Sequence, residues 1–79
     1  MKILITGGCG FIGSSLAIFL KEKIKKAQIT SIDNLSRKGS TFNKNRITTN
    51  KIPNIKVKIS KFSGIKKLKK YDLVIHCAY

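Results

Sequence analysis

The chain has 79 residues, with 17 Lys+Arg against 3 Asp+Glu for a formal net charge of +14, and 42% hydrophobic residues without Trp. That length holds one small domain, the apolar content exceeds that of a disordered tail, and a sequence without internal repeats and with only 6 Gly and 1 Pro is neither a solenoid nor collagen-like. No run approaches the roughly 18 consecutive apolar residues of a membrane span, and Thr6-Gly7-Gly8 interrupts the opening Met1-Lys2-Ile3-Leu4-Ile5 too early for a signal peptide, so a cytoplasmic protein with free Cys9 and Cys77 is expected.

Lys2 to Thr6 form a short apolar run, with Ile3, Leu4 and Ile5, that suits a strand buried on both faces. Glycines at positions 7, 8, 10 and 13 follow immediately. Beyond them the apolar residues Ile12, Leu16, Phe19, Leu20 and Ile24 fall on one side of a helix, with Lys21, Glu22, Lys23 and Lys25 facing mainly outward. A second strand is predicted from Gln28 to Asp33. The polar stretch from Asn34 to Asn54, broken by Gly39 and Pro53, holds a weak helix around Thr41 to Thr48. Ile55, Val57 and Ile59 alternate with Lys56 and Lys58, as in an edge strand with one wet face. Phe62, Ile65 and Leu68 then predict a short lysine-covered helix, and Asp72 to Cys77 a fourth strand, apolar on both faces through Leu73, Val74 and Ile75. Strands alternating with helices imply a parallel sheet with right-handed crossovers, an α/β doubly wound fold. Apolar character places the first and fourth strands toward the middle.

The glycines carry the chemistry. Gly8-Cys9-Gly10-Phe11-Ile12-Gly13 matches the dinucleotide fingerprint Gly-x-Gly-x-x-Gly, directly after a strand and at the opening of a helix. In that pattern the first glycine permits a tight turn, the second lets backbone approach a pyrophosphate, and Gly13 lets helix and strand pack closely. The free N–H groups and the dipole of the helix start then attract the phosphates. Asp33 lies 20 residues after Gly13 at the end of the second strand, where a carboxylate accepts hydrogen bonds from the adenosine ribose. The same carboxylate repels a 2′-phosphate, so NAD is expected to bind better than NADP; Arg37 and Lys38 argue weakly the other way, but read first as a solvated basic loop.

Thr6-Gly7-Gly8-Cys9-Gly10-Phe11-Ile12-Gly13 resembles the Thr-Gly-Gly-x-Gly-Phe-Ile-Gly opening of the extended short-chain dehydrogenases, the NAD-dependent sugar-nucleotide epimerases and dehydratases. Asp33-Asn34-Leu35 resembles the segment after their second strand. Continued through Ser36-Arg37-Lys38-Gly39, it is similar to the CDP-paratose 2-epimerase (tyvelose epimerase) branch. Asp72-Leu73-Val74-Ile75-His76-Cys77-Ala78 resembles the family's fourth strand. The resemblance implies a Rossmann-type sheet of about four strands in the order 3-2-1-4, with residues 1–79 as the N-terminal part of an NAD(P)-binding domain and no second domain. In that order the fourth strand becomes an unprotected edge. Carried onto this sequence, the family pattern implies NAD as cofactor, held by Gly7, Gly10, Phe11, Ile12, Gly13, Asp33 and Asn34. It also implies a nucleotide sugar as partner once the rest of the fold is present, supplied by a complementing chain or within a homo-oligomer.

Three departures stand beside it. Ser60 occupies the place where the family holds the adenine amine with an aspartate, and Tyr79 the place of a small residue beside the cofactor. The family's catalytic Tyr-x-x-x-Lys lies beyond its fourth strand, and here Tyr71 is followed four positions on by Ile75. The resemblance thus implies a cofactor-binding portion, truncated before the catalytic residues and inactive by itself. His76 and Cys77, adjacent on a strand, point to opposite faces and suit structural places rather than a nucleophile and its base. Cys9 suits the variable position of the fingerprint. Two Cys, one His and three carboxylates offer no structural zinc site, so no metal is expected.

The charge has a different distribution from the motifs. Residues 1–33 carry 5 Lys against Glu22 and Asp33, whereas residues 34–79 carry 12 basic residues against Asp72, giving +3 and +11. A small basic nucleic-acid-binding or scaffold protein is the alternative reading. Arg occurs only twice among 15 Lys, and no aromatic residues interleave the Lys66-Lys67 and Lys69-Lys70 pairs as stacking would require, which weighs against nucleic acid. Together with 13 Ile, the lysines fit compositional drift.

Overall fold

A computed structural model of the protein describes residues 1–58 and 69–77. Its elements in chain order are β1 (Lys2–Thr6), α1 (Phe11–Lys23), β2 (Gln28–Ile32), α2 (Ser40–Thr49), β3 (Asn54–Ile55) and β4 (Leu73–His76). All pairings are parallel, as the alternation of elements implies, and the sheet order is β3-β2-β1-β4, the Rossmann order that the family resemblance implies. The predicted helix over Phe62, Ile65 and Leu68 lies outside the described residues, as do Ser60 and Tyr79.

β1 is the spine of the sheet because its side chains can be buried on both sides. Ile3, Leu4 and Ile5 are each fully buried, a contribution of about 1.5–3 kcal/mol apiece. Alternation sends Ile3 and Ile5 to one face, where they meet Ala17, Ile29, Ile47 and Ile52, and Leu4 to the other, where it meets Ile32 with Val57, Tyr71 and Val74 beside it. Both α1 and α2 therefore cover the Ile3/Ile5 face. The register Thr6↔Ile32 and Thr6↔His76 brings the C-terminal ends of β1, β2 and β4 level, which builds the rim on which the site stands.

Three expectations need correcting. Apolar periodicity put Ile12, Leu16, Phe19, Leu20 and Ile24 on the inner face of α1, yet Ile12, Phe19 and Ile24 are exposed and the buried positions are Gly13, Ser14 and Ala17. The fully buried positions of the helix are its small residues, while Ile18 and the expected Leu20 pack half-buried against the core. The third strand was expected over Ile55 to Ile59 but is two residues long: Pro53 and Ile55 accept from the Ser31 and Asp33 N–H groups, and among the described residues no ladder continues past Ile55. Finally, β4 pairs with β1 on the outer side and β2 takes the inner place, so β4 does not stand in the middle; Leu73 is 43% exposed there. Helix α2 comes one residue longer at each end than expected, with Thr48 and Thr49 hydroxyls and the Asn50 amide donating to carbonyls four residues back.

Candidate functional site: a glycine turn facing a carboxylate

Between β1 and α1 the chain must reverse in four residues, and Gly7 makes this possible with φ of 72°, a conformation that a Cβ disfavours. Its N–H donates to the Ile32 carbonyl oxygen at 2.7 Å and its own carbonyl oxygen accepts from the Gly10 N–H at 3.0 Å, fixing the turn to β2. Gly13 then rests on the turn itself: a Cβ there would overlap the Gly7 carbonyl oxygen and stand 2.9 Å from the Gly7 carbonyl carbon. The working spacing is thus Gly7-x-x-Gly10-x-x-Gly13. Gly8, to which the fingerprint assigned the turn, lies instead against Ser31, whose side chain occupies the space a Cβ on Gly8 would need.

α1 begins at Phe11 with Gly10 as its N-cap, no side chain capping it and no acidic residue in its first turn. The first helical N–H to return to the chain is that of Ser14, donated to the Gly10 carbonyl oxygen at 3.0 Å. Helix geometry leaves the N–H groups of Phe11, Ile12 and Gly13 without intrahelical acceptors. Phe11 and Ile12 are 78% and 68% exposed, so this helix start opens on solvent. Unsatisfied donors, a positive dipole end and no built-in anion fit an incoming phosphate.

Asp33 is half-buried just past β2, and its carboxylate is fastened at both oxygens. The Cys9 N–H donates to Oδ2 at 3.0 Å and the Leu35 N–H to Oδ1 at 2.8 Å. The structure therefore brings Asp33, expected at the end of the second strand, to the glycine turn. Each carboxylate oxygen can accept more than one hydrogen bond, so a ribose diol remains within its capacity. Asn34 has its side-chain oxygen engaged by the Ser36 N–H at 3.2 Å; with Leu35 at φ 61° and Gly39 at φ 86°, it shapes the loop leading to α2. Asn54, a residue that the sequence reading did not single out, accepts from the Ser31 hydroxyl at 2.7 Å and donates its amide to the Asp33 backbone carbonyl oxygen at 3.2 Å, tying β3 to the backbone at the end of β2.

Cys9 is fully buried in the turn, and burial, with the neighbouring Asp33 charge, pushes its thiol up to about 11. That is a structural cysteine, since reactivity requires the thiolate. His76 lies on the face opposite the helices with its Nδ1 3.2 Å from the Thr6 hydroxyl, whereas Cys77 packs toward the core on the helix side, so the two do not act together.

A glycine turn at the end of the central strand, an uncapped helix start and a carboxylate on the adjacent strand define a dinucleotide-binding α/β protein of the Rossmann type. Comparison with known proteins gives the family: the model of the NAD dependent epimerase/dehydratase family matches residues 3–79, and the chain belongs to that family. It is 59% identical over 44 residues to a CDP-paratose 2-epimerase of Salmonella typhi, an alignment covering 54% of this chain and 12% of that protein. It is 62% identical over 34 residues to a dTDP-D-glucose 4,6-dehydratase of Dictyostelium discoideum, covering 43% of this chain and 8% of that one. Among solved structures, the UDP-glucuronic acid 4-epimerase from Bacillus cereus in complex with UDP-glucuronic acid and NAD superposes with a TM-score of 0.79 at 31% identity, covering 99% of this chain and 26% of that chain. The chain thus spans about a quarter of that enzyme, and its matched segments about a tenth of the curated relatives. No helix among the described residues is long and apolar enough to cross a membrane.

Proposed function

We propose that the chain is the NAD-binding portion of a nucleotide-sugar epimerase or dehydratase. The observation that carries this reading is the fastening of Asp33 to the Cys9 N–H across the glycine turn, which sets a ribose acceptor and a phosphate site side by side. The Phe11 and Ile12 N–H groups bind the pyrophosphate, Gly7, Gly10 and Gly13 keep its approach free of side chains, and Asp33 receives the adenosine ribose hydroxyls. Asn34 holds the loop that closes on the ribose. In relatives of this class, bound NAD supplies a hydride acceptor that oxidises the sugar and returns the hydride. This chain's own contribution is to bind and orient that cofactor; the reading assigns proton transfer to no residue of it.

The carboxylate of Asp33 makes the site prefer NAD to NADP, because a 2′-phosphate would sit against a fixed negative charge. A nucleotide sugar is the substrate class that the relatives' names point to, bound once a complementing chain or further polypeptide completes the fold. Free thiols at Cys9 and Cys77 fit a reducing cytoplasm.

Titration with NADH followed by its fluorescence, beside titration with duplex DNA at rising salt, tests the reading. Saturable cofactor binding that persists at high salt is expected. A chain that ignores the cofactor but binds DNA with an affinity that collapses with salt, as counterion release dictates, would overturn it.

A further inference from the structure

Arg46 belongs to α2, yet its guanidinium is committed to the first turn of α1. Nη1 donates to the Ser14 hydroxyl oxygen at 3.3 Å and to Asn43 Oδ1 at 3.1 Å, and the Ser14 hydroxyl donates onward to the Phe11 carbonyl oxygen at 3.2 Å. Ser14 is fully buried and Arg46 half-buried, so the cation lies against the helix rather than out in water. A positive charge at that end opposes the helix dipole, which favours anions there. Nothing among the described residues relieves the conflict. The first turn of α1 has no acidic residue, and Gly10 offers no side-chain cap. Glu22, which lines the same groove between α1 and α2 as Arg46, forms no ion pair with it among the described residues. The Asp33 carboxylate is turned to the Cys9 and Leu35 N–H groups instead.

A fixed cation added to an already positive, uncapped helix start is unfavourable in the free protein and favourable once an anion arrives. We infer that Arg46 is a positioning residue for the dinucleotide's pyrophosphate: it raises the positive potential at the Phe11 and Ile12 N–H groups and steadies their turn through Ser14. The inference rests on the NAD reading and extends it, assigning part of the phosphate affinity to a second helix outside the glycine turn. It also makes the site selective for charge: ligands carrying a diphosphate benefit from Arg46, and the uncharged nucleoside does not.

Calorimetric titration of NAD, ADP and adenosine into the wild-type chain, Arg46→Gln and Arg46→Lys tests this at low and high salt. Loss of one partly screened charge acting on two phosphate charges predicts about five- to tenfold weaker NAD and ADP binding by Arg46→Gln at low salt, with the gap narrowing as salt rises. Adenosine binding stays within about twofold, because no phosphate feels the charge, and Arg46→Lys, which keeps the charge as an ammonium while losing the planar guanidinium fork, stays within about twofold of wild type for NAD. Equal losses for adenosine and NAD, or a Lys variant as weak as the Gln variant, would show a purely structural role and overturn the inference. A wild-type chain that binds neither NAD nor ADP overturns the NAD reading itself, a result the variants cannot produce.

Discussion

Gly13→Ala tests the geometry of the turn with a single methyl group. The added Cβ would overlap the Gly7 carbonyl oxygen and come within 2.9 Å of the Gly7 carbonyl carbon and 3.1 Å of the Gly8 Cα. Every obstacle is backbone, and that backbone is held by the Gly7 N–H on Ile32 and the Gly10 N–H on Gly7, so no side chain can rotate away. Relief requires α1 to move outward, taking with it the Phe11 and Ile12 N–H groups. Overpacking of this kind costs about 1–3 kcal/mol, here near the upper end because the neighbours are rigid. Alanine's better helix propensity returns about 1 kcal/mol. The net destabilisation is about 2 kcal/mol, roughly a 30-fold change in the folding equilibrium. For a domain of this size it lowers the thermal midpoint by about 10 °C. Thermal and urea unfolding followed by far-ultraviolet circular dichroism measure it, with Ser15→Ala on the exposed side of the same helix as control, expected within about 0.5 kcal/mol of wild type. Gly13→Ala as stable as wild type, or stabilised in step with Ser15→Ala, would refute the close approach.

Three further outcomes follow from the site. Asp33→Asn removes the charge that receives the ribose and weakens NAD about 10- to 100-fold by calorimetry, as loss of hydrogen bonds to a charged group predicts, while narrowing the preference over NADP. Iodoacetamide at pH 8, read by mass spectrometry, alkylates the half-buried Cys77 and leaves the fully buried Cys9 unmodified, since the Cys9 thiol is held protonated at that pH. Because the Cys9 pKa is raised from 9.0 to about 11 in the folded chain, its contribution to stability is complete below pH 9 and lost as pH rises toward 11; unfolding curves across that range fall more steeply for wild type than for Cys9→Ser.

The features legible in the sequence were those with short-range signatures. Ile3-Leu4-Ile5 between polar residues reads as a buried strand because no helix face accounts for the run, and Asp33 could be placed because strand length and fingerprint spacing fix where β2 ends. The inner face of α1 was not legible from apolar periodicity. There the fully buried positions are the small residues Gly13, Ser14 and Ala17, with Gly13 pressed against the glycine turn, and periodicity counts only large apolar residues, so exposed Ile12 and Phe19 misled. The glycine roles shifted for a similar reason: the fingerprint aligned on Gly8, but the residue with positive φ is Gly7, and a run of adjacent glycines does not say which one turns. β3 was overestimated because alternation over Ile55, Val57 and Ile59 reports only that one face could be apolar, whereas among the described residues the last hydrogen bond to the β2 side joins Asp33 and Ile55. Arg46 and Asn54 gave no signal, since each acts through a contact with a distant segment.

The most direct test of the account is amide-resolved NMR of the chain titrated with NAD. The account predicts saturable shifts centred on the amides of Gly10, Phe11, Ile12 and Gly13 and on Cys9 and Leu35, whose N–H groups hold Asp33. Shifts confined to the lysine-rich stretches after Gly39, or none at saturating NAD, would contradict it.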